Sequence, residues 1–198
     1  MGEVLFSVYL ARHGETAWSL SGQHTSRTDL PLTERGERNA RALGERLRGL
    51  TFVKVLTSPM QRARRTCELA GFGAYAEIDP ELVEWDYGRY EGRYIAEIHA
   101  GRPGWLLFRD GCPEGEMPDQ VGARADRVIA RLRAVRGDVL VFSSGHFLRV
   151  LAVRWLGFDT AAAQSFALGT ASLSVVGYEH DVTKPAILLW NEACAAPE

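Results

Sequence analysis

The chain has 198 residues, 46% of them hydrophobic, and a formal net charge of −2. That length suits one domain, or one core with an inserted segment, and the apolar fraction is enough for a sizeable core. The charge excludes a general polyanion-binding role, and no apolar run approaches the ~20 residues that a membrane-spanning helix requires.

Residues 4–10 are a short apolar run that reads as a buried strand. The run ends in Leu10-Ala11-Arg12-His13-Gly14-Glu15-Thr16. In open α/β sheets, ligands bind in the crevice beyond the strands' carboxyl ends. There Arg12 can grip a phosphate in bidentate fashion while His13 attacks phosphorus. Gly14 would let the backbone turn sharply and approach a ligand. Residues 17–27 read as a polar loop in which Gln23 and Thr25 offer amide and hydroxyl donors. His24 is explained at least as well by a surface position as by ligand contact. Thr33 is an expected N-cap, with Glu34 and Glu37 at the positive end of a helix whose Ala40, Leu43 and Leu47 face the core.

Residues 53–57 are the expected second strand, ending in Ser58-Pro59, with Pro59 suited to the first turn of the next helix. Arg62 sits in that turn and can lean over the same sheet edge as His13, whereas Arg64 and Arg65 read as a solvated face. Residues 74–78 are a short strand. The stretch 81–92 mixes hydrophobic and acidic residues and fits neither a clean helix nor a clean strand. Residues 94–112 read as an inserted or lid segment (85–118 at its widest), with a turn at Gly101-Arg102-Pro103-Gly104 and Trp105 in the core. A helix is expected over 119–135. A buried strand over 139–142 runs into Ser143-Ser144-Gly145-His146 and a helix whose first N–H groups would face a bound anion. Strands over 171–178 and 186–190 close the chain. Strands alternating with amphipathic helices predict an α/β fold, a mainly parallel central sheet between helical layers.

Four motifs occur in order: Arg12-His13-Gly14, Ser58-Pro59-x-x-Arg62-Ala63, Leu82-x-Glu84 with Gly88 and Glu91-Gly92, and Gly145-His146 at a helix start. Together they resemble the signatures of the histidine phosphatase superfamily, which also holds the cofactor-dependent phosphoglycerate mutases. The stretches 21–25, 84–92 and 109–112 look like the branch with the fungal-type sedoheptulose-1,7-bisphosphatase and a mycobacterial acid phosphatase. The resemblance implies a phosphoglycerate mutase-like three-layer α/β/α sandwich in a single domain, 1–198. It implies His13 as nucleophile, Arg12 and Arg62 as phosphate clamps and Glu84 as the acid that protonates the leaving oxygen. Glu91 is expected to orient its loop. No metal or cofactor is implied, because the arginines supply the positive charge.

One position departs from the family pattern. Counting back five residues from Arg149 places Ser144 where the family carries its second catalytic histidine, and His146 lies two residues further on. Three readings follow: His146 substitutes for the missing cation; Ser144 and the Gly145 backbone suffice at reduced rate; or the site binds phosphate without turning it over. Losing one charge-stabilising donor typically costs about 10²–10³-fold in rate. Met117 is a second departure, at a position where a small hydroxyl residue would cap the next helix. Trp85, Tyr87, Tyr90 and Arg109 are candidates for the pocket mouth, Tyr87 for substrate contact.

The expected function is hydrolysis of a small phosphorylated metabolite, a sugar phosphate among the candidates, through a phosphohistidine. The alternatives are a phosphoglycerate mutase, which the chain's brevity disfavours, and a weakened phosphate-binding protein. Nucleic-acid binding through Arg62, Arg64 and Arg65 is excluded because the cluster spans one helical turn and has no wider platform. The strand at 74–78 is a candidate for pairing in a homodimer. Cys67, Cys112 and Cys194 are odd in number and widely spaced, which fits free thiols rather than a disulfide framework or a zinc site. The first residues lack the pattern of a signal peptide, and Met1-Gly2 is not followed by the hydroxyl residue that myristoylation needs, position 6 being Phe6. A cytoplasmic location is expected.

Overall fold

Alternation along the central strands decides the layers. In β4 (Val139–Ser143), Val139 and Val141 face one apolar cluster while Leu140 and Phe142 face another. A strand that buries both faces must lie between two helical layers. The computed structural model describes residues 5–194; Met1, Gly2 and Val4, which enter the readings above, lie outside them.

The other strands are β1 (Val8–Arg12), β2 (Lys54–Thr57), β3 (Ala76–Ile78), β5 (Ser172–Tyr178) and β6 (Pro185–Ala193). They form one sheet in the order β3-β2-β4-β1-β5-β6. β1, β2, β3 and β4 pair in parallel, and β5 is antiparallel to both β1 and β6, so β5 alone runs against the rest. One face is covered by α2 (Glu34–Leu47) and α3 (Gln61–Leu69), through Leu43, Leu47 and Cys67. The other is covered by α6 (Pro118–Ala134) and α7 (Gly145–Trp155), through Val121, Val128, Leu132, Phe147 and Leu151. The short helices α4 (Ile95–Gly101) and α5 (Leu107–Asp110) belong to the segment between β3 and α6. That segment packs as core: Trp85, Tyr87, Ile98, Trp105 and Phe108 are all buried in the larger cluster.

Register carries the fold to its site. Arg12 pairs with Ser143 at the carboxyl ends of β1 and β4, and the next residue, His13, donates its N–H to the Ser143 carbonyl at 3.0 Å. The two chain segments therefore leave the sheet side by side.

Local structure departs from the sequence reading in four places. The first strand lies later, ending with Arg12 rather than Leu10, because its partner residues run to Ser143. Residues 17–21 are helical (α1, Ala17–Ser21), not loop: Thr16 accepts from the Ser19 N–H while Ser19 accepts from the Thr16 N–H, a reciprocal cap. Pro59 precedes α3 rather than opening it, since Met60 is the N-cap. Met117 does cap α6 without a side-chain bond, but Gln120 accepts its N–H at 2.7 Å and supplies the lost half of the cap.

Candidate active site

His13 is buried at 5% exposure. Its Nδ1 lies 2.8 Å from the Gly14 carbonyl. A carbonyl only accepts, so Nδ1 carries the proton and the Nε2 lone pair is left for chemistry. Burial, then the cations Arg62 and Arg12, push the imidazole well below the usual histidine value and keep it neutral. Thr66 on α3 anchors this loop: its hydroxyl accepts from the Gly14 N–H and donates to the Arg62 carbonyl.

Gly14 serves packing rather than ligand approach. A Cβ there would meet the Gly36 carbonyl oxygen of α2 at 2.6 Å, and one on Gly36 would meet the Glu15 carbonyl oxygen at 2.3 Å. The motif loop thus lies directly on the α2 backbone. Glu15 caps the contact by accepting from Thr33 and pairing with Arg35, which holds its carboxyl below the usual range.

Arg12 points across Gly145. A Cβ on Gly145 would stand 3.1 Å from the guanidinium carbon, so glycine leaves the space in which Arg12 lies. Arg12 Nη1 donates to the Leu168 carbonyl. Its Nε is buried with no partner among the described residues, as are Arg62 Nε and Ser144 Oγ. Buried polar atoms are normally paired, and of these three Arg12 Nε belongs to a residue that lines the cavity, where a bound oxyanion would satisfy it.

Arg62 differs from its expectation. It is fully buried and does not line the cavity. Its Nη atoms hold the carbonyls of Thr25, Ser26 and Thr28, while Glu91 takes the Ser26 and Thr28 N–H groups from the other side. Both therefore shape the loop at 25–28, and Glu91 orients it as expected.

Glu84, 5% exposed, occupies the helix start that the sequence reading left to a bound anion. Its Oε1 accepts from the N–H groups of Trp85 and Phe147, and its Oε2 from that of His146. The carboxylate thereby complements the positive end of α7. Ser144 is the N-cap residue of that helix but makes no side-chain cap, because Glu84 has taken the donors it would use.

These groups frame a cavity of about 170 Å³. Of the residues singled out from the sequence, Arg12, His13, Gln23, Thr25, Glu84, Tyr87, Gly145 and His146 line it, whereas Arg62 and Ser144 lie behind the wall. Tyr87 meets His146 through a 2.5 Å contact between its hydroxyl and Nδ1. Gln23 and Thr25 spend donors inside their own wall, on the carbonyls of Gly92 and Gln23. The sequence reading missed Trp18, Ser19, Leu168 and Arg149 in the lining, and of the two positions it left open for His24 the structure shows the one that lines the cavity. Arg149 was legible, since it lies three residues after His146 on one helix face; the Leu168 carbonyl has no sequence signal. Three expected mouth residues are elsewhere. Trp85 is core, Tyr90 packs edge-on against Trp105, and Arg109 is exposed and bonded to Asp110. Arg65 pairs with Glu37 and Glu68.

Cys67, Cys112 and Cys194 are buried and unpaired. No described helix is long and apolar enough to cross a membrane, and no described group of three or more His, Cys, Asp or Glu is arranged to hold a metal.

Comparison with known proteins follows the same outline. The family model described as Histidine phosphatase superfamily (branch 1) matches residues 8–193. An acid phosphatase of Mycobacterium tuberculosis is 40% identical over 192 residues, covering 95% of this chain and 94% of its own. A sedoheptulose 1,7-bisphosphatase of Saccharomyces cerevisiae is 38% identical over 180 residues, covering 75% of this chain and 66% of its own. Among solved structures, the product of open reading frame Rv3214 from Mycobacterium tuberculosis superposes with a TM-score of 0.91 at 37% identity, covering 96% of this chain and 98% of its own.

Proposed function

The chain belongs to branch 1 of the histidine phosphatase superfamily, and from that membership we propose that its cavity hydrolyses phosphate monoesters of small metabolites through a phosphohistidine at His13. The observation that carries this reading is the His13 tautomer: Nδ1–H is tied to the Gly14 carbonyl, beside an Arg12 whose Nε has no partner. A neutral imidazole lone pair next to a guanidinium is a nucleophile facing a phosphate clamp.

The phosphoryl group leaves its ester oxygen for His13 Nε2, and water then takes it from the phosphohistidine. Arg12 Nε and the Gly145 N–H, from residues that line the cavity, are the donors proposed for the transferring oxygens; Arg62 is proposed to act from behind the wall, by holding the loop at 25–28. Glu84 is proposed to protonate the departing alcohol and then to deprotonate the attacking water. Its Oε1 already accepts two N–H groups and Oε2 one, which leaves the remaining Oε2 lone pair to carry the proton. Arginines supply the charge that Mg²⁺ supplies in other phosphoryl-transfer sites, so the reaction is proposed to proceed without metal. Sugar phosphates are the proposed substrate class, on the likeness to the sedoheptulose 1,7-bisphosphatase. A second reading, phosphate binding with weakened turnover, is favoured by one observation: position 144 bears no charge, and burial keeps His146 neutral.

The buried unpaired thiols support a reducing, cytoplasmic setting. β3 at the sheet edge, with Ile78 exposed, is the surface proposed to pair in a homodimer.

The test is phosphate release from p-nitrophenyl phosphate in EDTA. Wild type is expected to turn over, and His13→Ala to lose activity by at least roughly 10³-fold. Tight phosphate binding without release would favour the second reading. Activity abolished by EDTA and restored by a divalent metal would overturn metal independence. Interconversion of phosphoglycerates primed with bisphosphoglycerate would indicate a mutase.

A further inference from the structure

His146 is held from several sides. Phe108 meets its ring edge-on at 5.3 Å between centroids, Tyr87 edge-on at 5.8 Å, and His24 stacks on it at 6.3 Å. Its backbone N–H donates to Glu84, so main chain and ring are both fixed. The Tyr87 hydroxyl lies 2.5 Å from Nδ1. Tyr87 is buried, and burial, with Glu84 beside it, pushes that hydroxyl well above the usual tyrosine value. The phenol therefore keeps its proton, and among the described residues Nδ1 is the one hydrogen-bond partner of its hydroxyl, which favours Tyr87 as the donor. A neutral imidazole that accepts at Nδ1 carries its own proton on Nε2. Burial makes the ring neutral, and the cations Arg149 and Arg12, with His24, oppose its protonation. The titratable and charged groups facing it are thus Arg12 from β1, His24 from the loop after α1, Glu84 and Tyr87 from the segment before α4, and Arg149 from α7 itself.

His24 is set the opposite way. Its Nδ1 lies 3.0 Å from the Arg93 carbonyl, so Nδ1 is the donor and, in the neutral ring, Nε2 is an acceptor. Both rings line the cavity. In the same wall the hydroxyls of Ser19 and Thr25 and one of the two amide N–H groups of Gln23 are given to the carbonyls of Thr16, Gln23 and Gly92. Arg149 has Nε and Nη2 on the carbonyls of Ala163 and Gln164. The two stacked rings thus add one fixed donor and one fixed acceptor to what the wall offers a substrate.

We propose that Tyr87 is a positioning residue that locks His146 as an Nε2–H donor, and that this donor and the His24 Nε2 acceptor together bind one hydroxyl of the substrate's alcohol part. A hydroxyl donates and accepts at once, so it satisfies both rings, whereas a carboxylate or second phosphate, which only accepts when ionised, satisfies one. The substrate class is the phosphate ester of a neutral polyol. The inference rests on the phosphatase reading for its substrate half.

The test has two arms on the full chain. In the absence of substrate, long-range ¹⁵N–¹H spectra of the imidazoles report the tautomers. Wild type is expected to show His146 protonated on Nε2, and Tyr87→Phe a mixture of tautomers with His24 unchanged. With substrate, kcat and KM are measured for sorbitol 6-phosphate and for phenyl phosphate, which has no hydroxyl. Tyr87→Phe is expected to lower kcat/KM for both, and to lower the sorbitol-to-phenyl ratio by about 3–10-fold, carried in KM. Should Tyr87→Phe fail to fold, His24→Asn at its half-buried position gives the same ratio test. His146 protonated on Nδ1 in wild type, or equal losses on the two esters, would overturn the proposal. No turnover of either ester by wild type would overturn the phosphatase reading and the substrate half with it, leaving the tautomer lock to be decided by the spectrum.

Discussion

At Ser144 a single side chain decides how the site handles charge. A fully buried hydroxyl with no partner among the described residues follows β4, while the imidazole two residues on, His146, is held neutral by burial. Ser144→His would place an imidazole, with a ring N–H donor, just past the end of β4. If hydrolysis runs as proposed, that variant is expected to raise kcat by roughly tenfold or more, read from steady-state turnover of p-nitrophenyl phosphate. An unchanged rate would mean that Ser144 already suffices. Gly145 makes the complementary case. An Ala there would put its Cβ 3.1 Å from the Arg12 guanidinium, which must shift. Gly145→Ala is expected to lower kcat/KM by roughly tenfold or more while thermal stability stays within about 1 kcal/mol, since Ala suits a helix. A large stability loss with intact activity would contradict this account of Gly145.

At the scale of elements, the motif loop depends on helix α2 for support. Gly36→Ala would drive a Cβ to 2.3 Å from the backbone oxygen of Glu15, and a backbone atom cannot rotate away. We expect a destabilisation of about 2–4 kcal/mol, measured as a lower urea midpoint, with activity falling because His13 is carried on the displaced loop. The elements differ in how legible they were. β4, α2 and α6 follow from period and capping: Thr33 accepts the Gly36 N–H, and Val121, Val128 and Leu132 are buried as their spacing requires. α1 was missed because its five residues bury none of their side chains, so no apolar stripe marks it; only the Thr16–Ser19 pair does. The candidate site was legible where a cavity-lining side chain stands at a strand end or helix start, as at Arg12, His13 and His146. It was illegible where tertiary partners decide. Arg62 reads as a clamp from its turn position, yet its Nη atoms face carbonyls more than thirty residues away. Glu84 as the cap of α7 joins segments 62 residues apart, which no local pattern records.

The whole molecule answers to pH through the same burial that prepares the site. His13 is held below its unfolded value, so the folded state binds fewer protons than the unfolded chain between those two values. Stability is then complete above about pH 6.5 and lost as pH falls through the folded value of His13. The slope contributed by this ring is at most about 1.4 kcal/mol per pH unit. Urea midpoints at pH 7 and pH 5 are expected to converge in His13→Asn relative to wild type. A thiol reagent tests global opening independently. Burial pushes Cys67 and Cys112 up to about 12, so labelling at pH 8 is expected only at the rate of unfolding, and fast labelling of the native protein would show that these regions open locally.

Arg12 reaches across 156 residues to the Leu168 carbonyl, and β1 lies between β4 and β5 in the sheet. During synthesis β1 therefore emerges before either of its neighbours, which exist only once Val139–Ser143 and Ser172–Tyr178 have been made. Such non-local pairing is slow to form and leaves unpaired edges open to wrong partners meanwhile. His13 precedes in the chain both strands that flank its own, so a nascent or truncated chain that stops short of residue 168 holds His13 without the sheet that positions it.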